Sequence, residues 1–135
     1  MAGTGYDTVS LTNGATLDLS LLSAVNQYNI NLWSLSGVGP DVNGNATNFD
    51  NTQNYTWTLY STSTAIAGFD PSYFAIFDGA NNGTTGFTNS LGGGVFSVGL
   101  GDSNTDIVLN FTAIPEPRAA LLGAIGLLAL LRRRR

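Results

Sequence analysis

Chemistry in this chain has to be done by carboxylates, amides and hydroxyls, because His, Lys and Cys are absent from all 135 residues. That removes a serine–histidine relay, a thiolate nucleophile and a Schiff-base lysine. Paired carboxylates can hydrolyse glycosidic bonds, and Asp50, Asp70 and Asp78 are the acids such a pair would draw on. Each also suits a turn, with Asp70 before Pro71 and Asp78 before Gly79, and catalysis is not expected. Asp102, Asn104 and Asp106 are spaced like the first three ligands of a calcium loop. Position six of that loop is Ile107 where glycine is needed, and position twelve is Ala113 where glutamate is needed. Turn residues closing a hairpin explain the same spacing. Asp41, Asn43 and Asn45 carry the same two readings.

Aromatic residues supply the other candidate chemistry. Trp33, Tyr55, Trp57, Tyr60 and Tyr73 can stack on sugar rings, with Trp33 the residue best placed to be exposed. Cross-strand packing is the plainer role for most of them. Asn45, Asn54, Asn82 and Asn110 each begin an Asn-x-Thr acceptor pattern, which an Asn- and Thr-rich chain produces by chance.

These residues must be held by strands. Leu17, Leu19 and Leu21 alternate with polar residues, as do Tyr28, Ile30 and Leu32, then Tyr55, Trp57 and Leu59. Phe74 and Ile76 form a shorter stretch. Phe96, Val98 and Leu100 are followed by Ile107, Leu109 and Phe111, with Gly101 to Thr105 between them, which predicts an antiparallel hairpin. Segments rich in Gly, Asn, Asp and Ser separate the strands, and Phe69-Asp70-Pro71 marks another turn. Before Pro115 no stretch has a sustained helical period. The expectation is an all-β body of short strands, either a sandwich or a solenoid.

The end of the chain is different. Pro115-Glu116-Pro117-Arg118 precedes an uncharged stretch from Ala119 to Leu131, and Arg132, Arg133, Arg134 and Arg135 close the sequence. Those 13 residues make about 20 Å of helix with no polar face. That is short against a hydrocarbon core of about 30 Å, but Arg118 and Arg132 can reach outward from its ends. An arginine cluster beside an apolar helix stays cytoplasmic, so everything upstream is expected outside. Two domains follow: a β-rich body over 1–114 and a tail over 115–135. All five basic residues are in the tail beside Glu116, so the eight remaining acids, all Asp, give the body a formal charge of −8 against +4 for the tail. Such a body repels nucleic acid and anionic lipid.

Ile114-Pro115-Glu116-Pro117, the Ala/Leu/Gly stretch and the terminal arginines together resemble the PEP-CTERM sorting signal of Gram-negative bacteria. The resemblance implies export and transient anchoring in the inner membrane. It also implies recognition by an exosortase-type membrane protease, cleavage near Pro115-Glu116-Pro117, and delivery to the cell surface or extracellular matrix. Met1 to Asp7 has neither the basic start nor the apolar core of a secretory signal, so the chain is expected to be the C-terminal part of a longer exported protein.

A second resemblance spans roughly residues 11–117. Tyr55-Thr56-Trp57-Thr58-Leu59, Ile66-Ala67-Gly68-Phe69-Asp70, Phe87-Thr88-Asn89, Gly93-Gly94-Val95-Phe96-Ser97-Val98 and Ile107-Val108-Leu109-Asn110-Phe111-Thr112 look like the final segment of autotransporter-associated β-strand-repeat proteins. That likeness implies a long right-handed β-solenoid upstream, with these residues as its last rungs and cap. The expected role is structural or adhesive, without a cofactor unless calcium binds; a carbohydrate-binding module that attaches to exopolysaccharide is the alternative.

Overall fold

A computed structural model of the chain describes residues 6–37, 42–79 and 86–114. The tail, with Pro115, Glu116, Pro117 and Arg132 to Arg135, lies outside the described residues, as do Asp41 and Asn82. The described part is mostly β-sheet, and two short 3₁₀ turns are its helical elements. No described helix is long and apolar enough to cross a membrane.

Six strands form: β1 (Val9–Leu11), β2 (Tyr28–Asn31), β3 (Tyr55–Thr62), β4 (Phe74–Phe77), β5 (Val95–Gly101) and β6 (Asp106–Thr112). One sheet runs β1-β3-β6-β5 and a smaller one pairs β2 with β4. The pairings fall into two kinds. β1 lies parallel to β3 with Val9 opposite Tyr60, an isolated parallel bridge joins Asp18 to Ala67, and β2 lies parallel to β4 with Tyr28 opposite Phe74. Side-chain bonds continue the register. Thr8 Oγ1 donates to Thr58 O across 50 positions, and Gln27 Nε2 donates to Ser72 O across 45. Further along, the Thr88 N–H donates to Ser34 Oγ across 54. Two successive lengths of chain therefore lie side by side as a parallel stack.

The second kind closes the stack. β6 runs antiparallel to β3 and β5 antiparallel to β6, so the expected hairpin is formed and its second strand covers the edge of β3 that β1 leaves free. The core sits behind this hairpin. Phe111 and Ile107 are each 1% exposed, and Leu109, Val98 and Trp57 are buried with them. Aromatic rings fill most of this space. Tyr55 stacks on Trp57 at 5.3 Å, and Phe96 and Phe49 lie 5.1 and 5.0 Å from Phe111. Aromatics of this size bury the most area per residue, which a short-stranded body needs.

Two sequence expectations are corrected, and one strand is added. Leu17 to Leu21 is not a strand: Asp18 accepts from the Ser20 N–H at 2.9 Å and Leu22 N–H donates to Leu19 O at 2.9 Å. The chain turns there, which buries Leu19 and leaves Leu21 90% exposed. In β3 the alternation breaks at Leu59, because a bulge places Thr58 opposite Val108 and Tyr60 opposite Ile107. Leu59 and Tyr60 are therefore adjacent and both partly buried against the core, where the alternation expected Leu59 alone. Finally, Val9–Leu11 forms an edge strand that its three residues gave no reason to expect.

The β5–β6 turn has a local cost. Asp102, Ser103 and Asn104 have φ of 39°, 56° and 70°, a left-handed turn built without glycine. Asp and Asn tolerate that region; serine has no comparable reason to. Ser103→Gly is expected to raise stability by about 0.5–1 kcal/mol, allowing for the greater freedom of unfolded glycine. Chemical denaturation of the two chains checks this, and an unchanged or lower midpoint would contradict it.

Candidate functional site

The hairpin turn holds the sequence-predicted calcium residues. Asp102 O accepts from Thr105 N–H at 3.1 Å and from Thr105 Oγ1 at 2.6 Å, and Asn104 O accepts from Ile66 N–H at 2.9 Å. Thr105 O accepts from Thr62 N–H at 2.9 Å and Thr62 Oγ1 at 2.8 Å. The turn thus clamps the end of β3 to the following loop through backbone carbonyls. Asp102 and Asn104 are exposed. Asp106 heads β6 opposite Ser61 and Gly101, with Oδ1 buried and lacking a hydrogen bond. Among the described residues no three His, Cys, Asp or Glu side chains gather to hold a metal ion. The hairpin accounts for the spacing of Asp102, Asn104 and Asp106 by itself.

The candidate catalytic acids occupy turns. Asp50 Oδ1 accepts from Thr52 N–H at 2.9 Å and from Thr52 Oγ1 at 2.7 Å, while Oδ2 accepts from Gln53 Nε2 at 3.1 Å. Asp70 Oδ1 accepts from Ser72 N–H at 2.8 Å and caps the 3₁₀ turn Pro71–Tyr73. With Asp18 and Ser20 these make three Asp-x-Ser/Thr turns of one design. Asp78 precedes Gly79, whose φ is +100°.

The aromatic candidates separate. Trp57 is 9% exposed and packed in the core, whereas Trp33, just past β2, is 51% exposed. Tyr55 lies between Phe49 and Trp57, stacked on each at 5.3 Å. Tyr60 meets Tyr28 edge-on at 6.3 Å, and their hydroxyls are 2.7 Å apart. Burial first, and then the Tyr28 hydroxyl, push the Tyr60 phenol up to about 12, which keeps it neutral. No shared platform is formed by the five.

Two concavities stand out, and sequence reasoning assigned neither. One, of about 220 Å³, is lined by leucines of the 17–22 turn with Asp18, Tyr28, Tyr60, Phe74 and Ile107. It opens between the two coils and is mainly apolar. The other, of about 320 Å³, is lined by Phe49, Asp50, Asn51, Asn89 and Ser90. Its walls come from two loops some forty positions apart. The only sequence signal was their shared richness in Asn, Asp and Ser, which any turn has.

Comparison with protein-family models, curated proteins and solved structures found no match to this chain.

The Asp turns fix an acid limit. Hydrogen bonds from Ser20, Thr52 and Ser72 hold the carboxyls of Asp18, Asp50 and Asp70 below their ordinary value of 3.8. A depressed folded value stabilises the fold above the unfolded value, and that contribution is lost as pH falls through the folded ones. The melting temperature should therefore drop below about pH 3.8. In the D18N/D50N/D70N variant, whose side-chain oxygens can still accept, the drop should be shallower. An identical acid slope in both chains would contradict the assignment.

Proposed function

We propose that this chain is an exported, surface- or matrix-directed structural or adhesive protein. Its body is the closing end of a β-solenoid, and its tail is a sorting signal for an exosortase-type membrane protease of a Gram-negative bacterium. The observation that carries the reading is the parallel register of residues 8–34 against 58–88, sealed on one side by antiparallel β6. An antiparallel hairpin laid on β3 covers the edge on which a further parallel coil would otherwise stack, as a capping segment does.

The opposite edge supports the same reading. β1 and β2 are short but contain no charged residue or proline, two of the devices that protect an open strand. Val9 is 46% and Tyr28 44% exposed there, while Phe74, which Tyr28 covers in the next coil, is 8% exposed. An upstream coil laid on β1 and β2 would cover them as β1 and β2 cover β3 and β4. On this reading the body does passive work. Its charge of −8, without a single cation before Arg118, suits a solvated surface and disfavours nucleic acid and anionic lipid as partners.

The tail then determines destination. Pro115, Glu116 and Pro117 would be the recognition and cleavage motif, Ala119 to Leu131 a transient inner-membrane anchor, and Arg132 to Arg135 the cytoplasmic stop. The chemistry of delivery belongs to the protease and not to this chain. Deleting Arg132 to Arg135 in a Gram-negative host that encodes an exosortase should release the protein from membrane retention or send it to the wrong compartment. Fractionation and immunoblotting read both mass and location. Unchanged processing and unchanged location would overturn the tail assignment.

A further inference from the structure

The cleft of about 320 Å³ between the 48–53 turn and the 89–92 turn has a built floor and built walls. Phe49 forms part of the lining and is locked by three rings: Tyr55 stacked at 5.3 Å, with Phe87 and Phe111 edge-on at 4.8 and 5.0 Å. Tyr55 also sets the first wall. Its hydroxyl accepts from the Asp50 N–H at 2.9 Å and donates to Asn48 O at 3.3 Å. Asn89 sets the second, since its side chain accepts from Ala46 N–H at 2.7 Å and donates to Ala46 O at 3.1 Å. Asn51 Nδ2 then ties the walls together by donating to Ser90 O at 3.1 Å. Gly92, at φ +59°, makes room for this tie, because a Cβ there would lie 2.9 Å from Asn51 Cγ.

What remains to face a ligand is specific. The Asp50 oxygens already accept from Thr52 and Gln53 and keep only part of their capacity, so the cleft offers the rest of Asp50 Oδ2, the Asn51 side-chain oxygen, the second N–H of the Asn51 and Asn89 amides, the Ser90 hydroxyl and the Phe49 ring. Donors and acceptors beside an aromatic ring suit a molecule whose hydroxyls both give and take hydrogen bonds and whose C–H groups pack against the ring. An anionic ligand is disfavoured by Asp50 and by a body with eight Asp and no cation. A purely apolar ligand would leave the remaining hydrogen-bonding capacity of Asp50, Asn51 and Ser90 unanswered. The volume lies at the small end of ligand sites, which limits the occupant to one or two sugar rings.

We propose that this cleft binds a neutral sugar unit, through Asp50, Asn51 and Ser90 to its hydroxyls, with Phe49 as the apolar part of the lining. The sugar-binding function is thereby assigned to the Phe49 cleft and not to the exposed Trp33. Pre-set walls lower the ordering cost of binding. The assignment does not depend on how the tail is processed: loss of sugar binding would leave the sorting reading intact, and a failed tail deletion would leave this one intact.

The test is saturation-transfer NMR on the full 135-residue chain, kept in micelles of a detergent that contains no sugar. Glucose, mannose, galactose and N-acetylglucosamine are the probes, each at millimolar concentration. Transfer to the ring protons of at least one is expected. Ser90→Trp fills the cleft from an exposed position and should reduce that transfer by roughly tenfold or more. Ser97→Trp, exposed on β5 and outside the lining, should leave it unchanged. Near-UV circular dichroism of the aromatic core confirms that each variant folds. Absence of transfer from all four sugars would overturn the proposal, as would transfer that survives Ser90→Trp or is lost equally in Ser97→Trp.

Discussion

Everything in the described body depends on one lateral interaction, the parallel pairing of an early length of chain with a later one. β1 on β3, Asp18 on Ala67 and β2 on β4 hold strands that are too short to be stable alone. Parallel pairs give no tight hairpin and link residues about fifty positions apart, so closing them carries a substantial chain-entropy cost. The offset comes from the aromatic cluster of Phe49, Tyr55, Trp57, Phe87, Phe96 and Phe111, which sits where the closing hairpin meets the second coil. Gly94 belongs to the same device, since any side chain there would collide with the Phe111 ring.

The sequence was legible where structure is local. β5 and β6 are adjacent, alternate cleanly and flank a Gly-Asp-Ser-Asn turn, so the hairpin, its strands and its direction could all be read. β2, β3 and β4 were visible as alternating stretches, but their partners were not. A parallel neighbour some fifty residues away leaves no local mark on sequence. Leu17 to Leu21 shows the converse failure. Its alternation mimics a strand, while Asp18 and Ser20 form a turn whose hydrogen bond outweighs the pattern. At Leu59 the alternation holds for half a strand and is then shifted by one extra residue, which a bulge allows at little cost.

The Phe49 cleft was not legible for a related reason. Asp50, Asn51, Asn89 and Ser90 are the commonest kinds of turn residue, and each turn would exist without the other. Long-range contacts bring them to one place: the hydrogen bond from Asn51 to Ser90 O, the two between Asn89 and Ala46, the one from Thr88 to Asn45, and the Phe49–Phe87 ring pair. The aromatics that sequence reasoning singled out for ligand contact went mostly to the core, because a body with so few long strands spends its large rings on burial. Charge divides the chain equally sharply. A body of aspartates alone and a tail of arginines meet in the dozen residues around Pro115, and that division is what the proposed sorting route acts upon.

Backbone amide hydrogen exchange on the full chain tests the central claim most directly: a parallel stack closed at β6 and open at β1 and β2. The account predicts the slowest exchange at Ile107 to Phe111 and their β3 partners, covered on both sides. Faster exchange should follow across β2 and β1, which among the described residues have a neighbour on one side only. Equal protection of β1 and β6, or free exchange along β2 and β4 together, would contradict it.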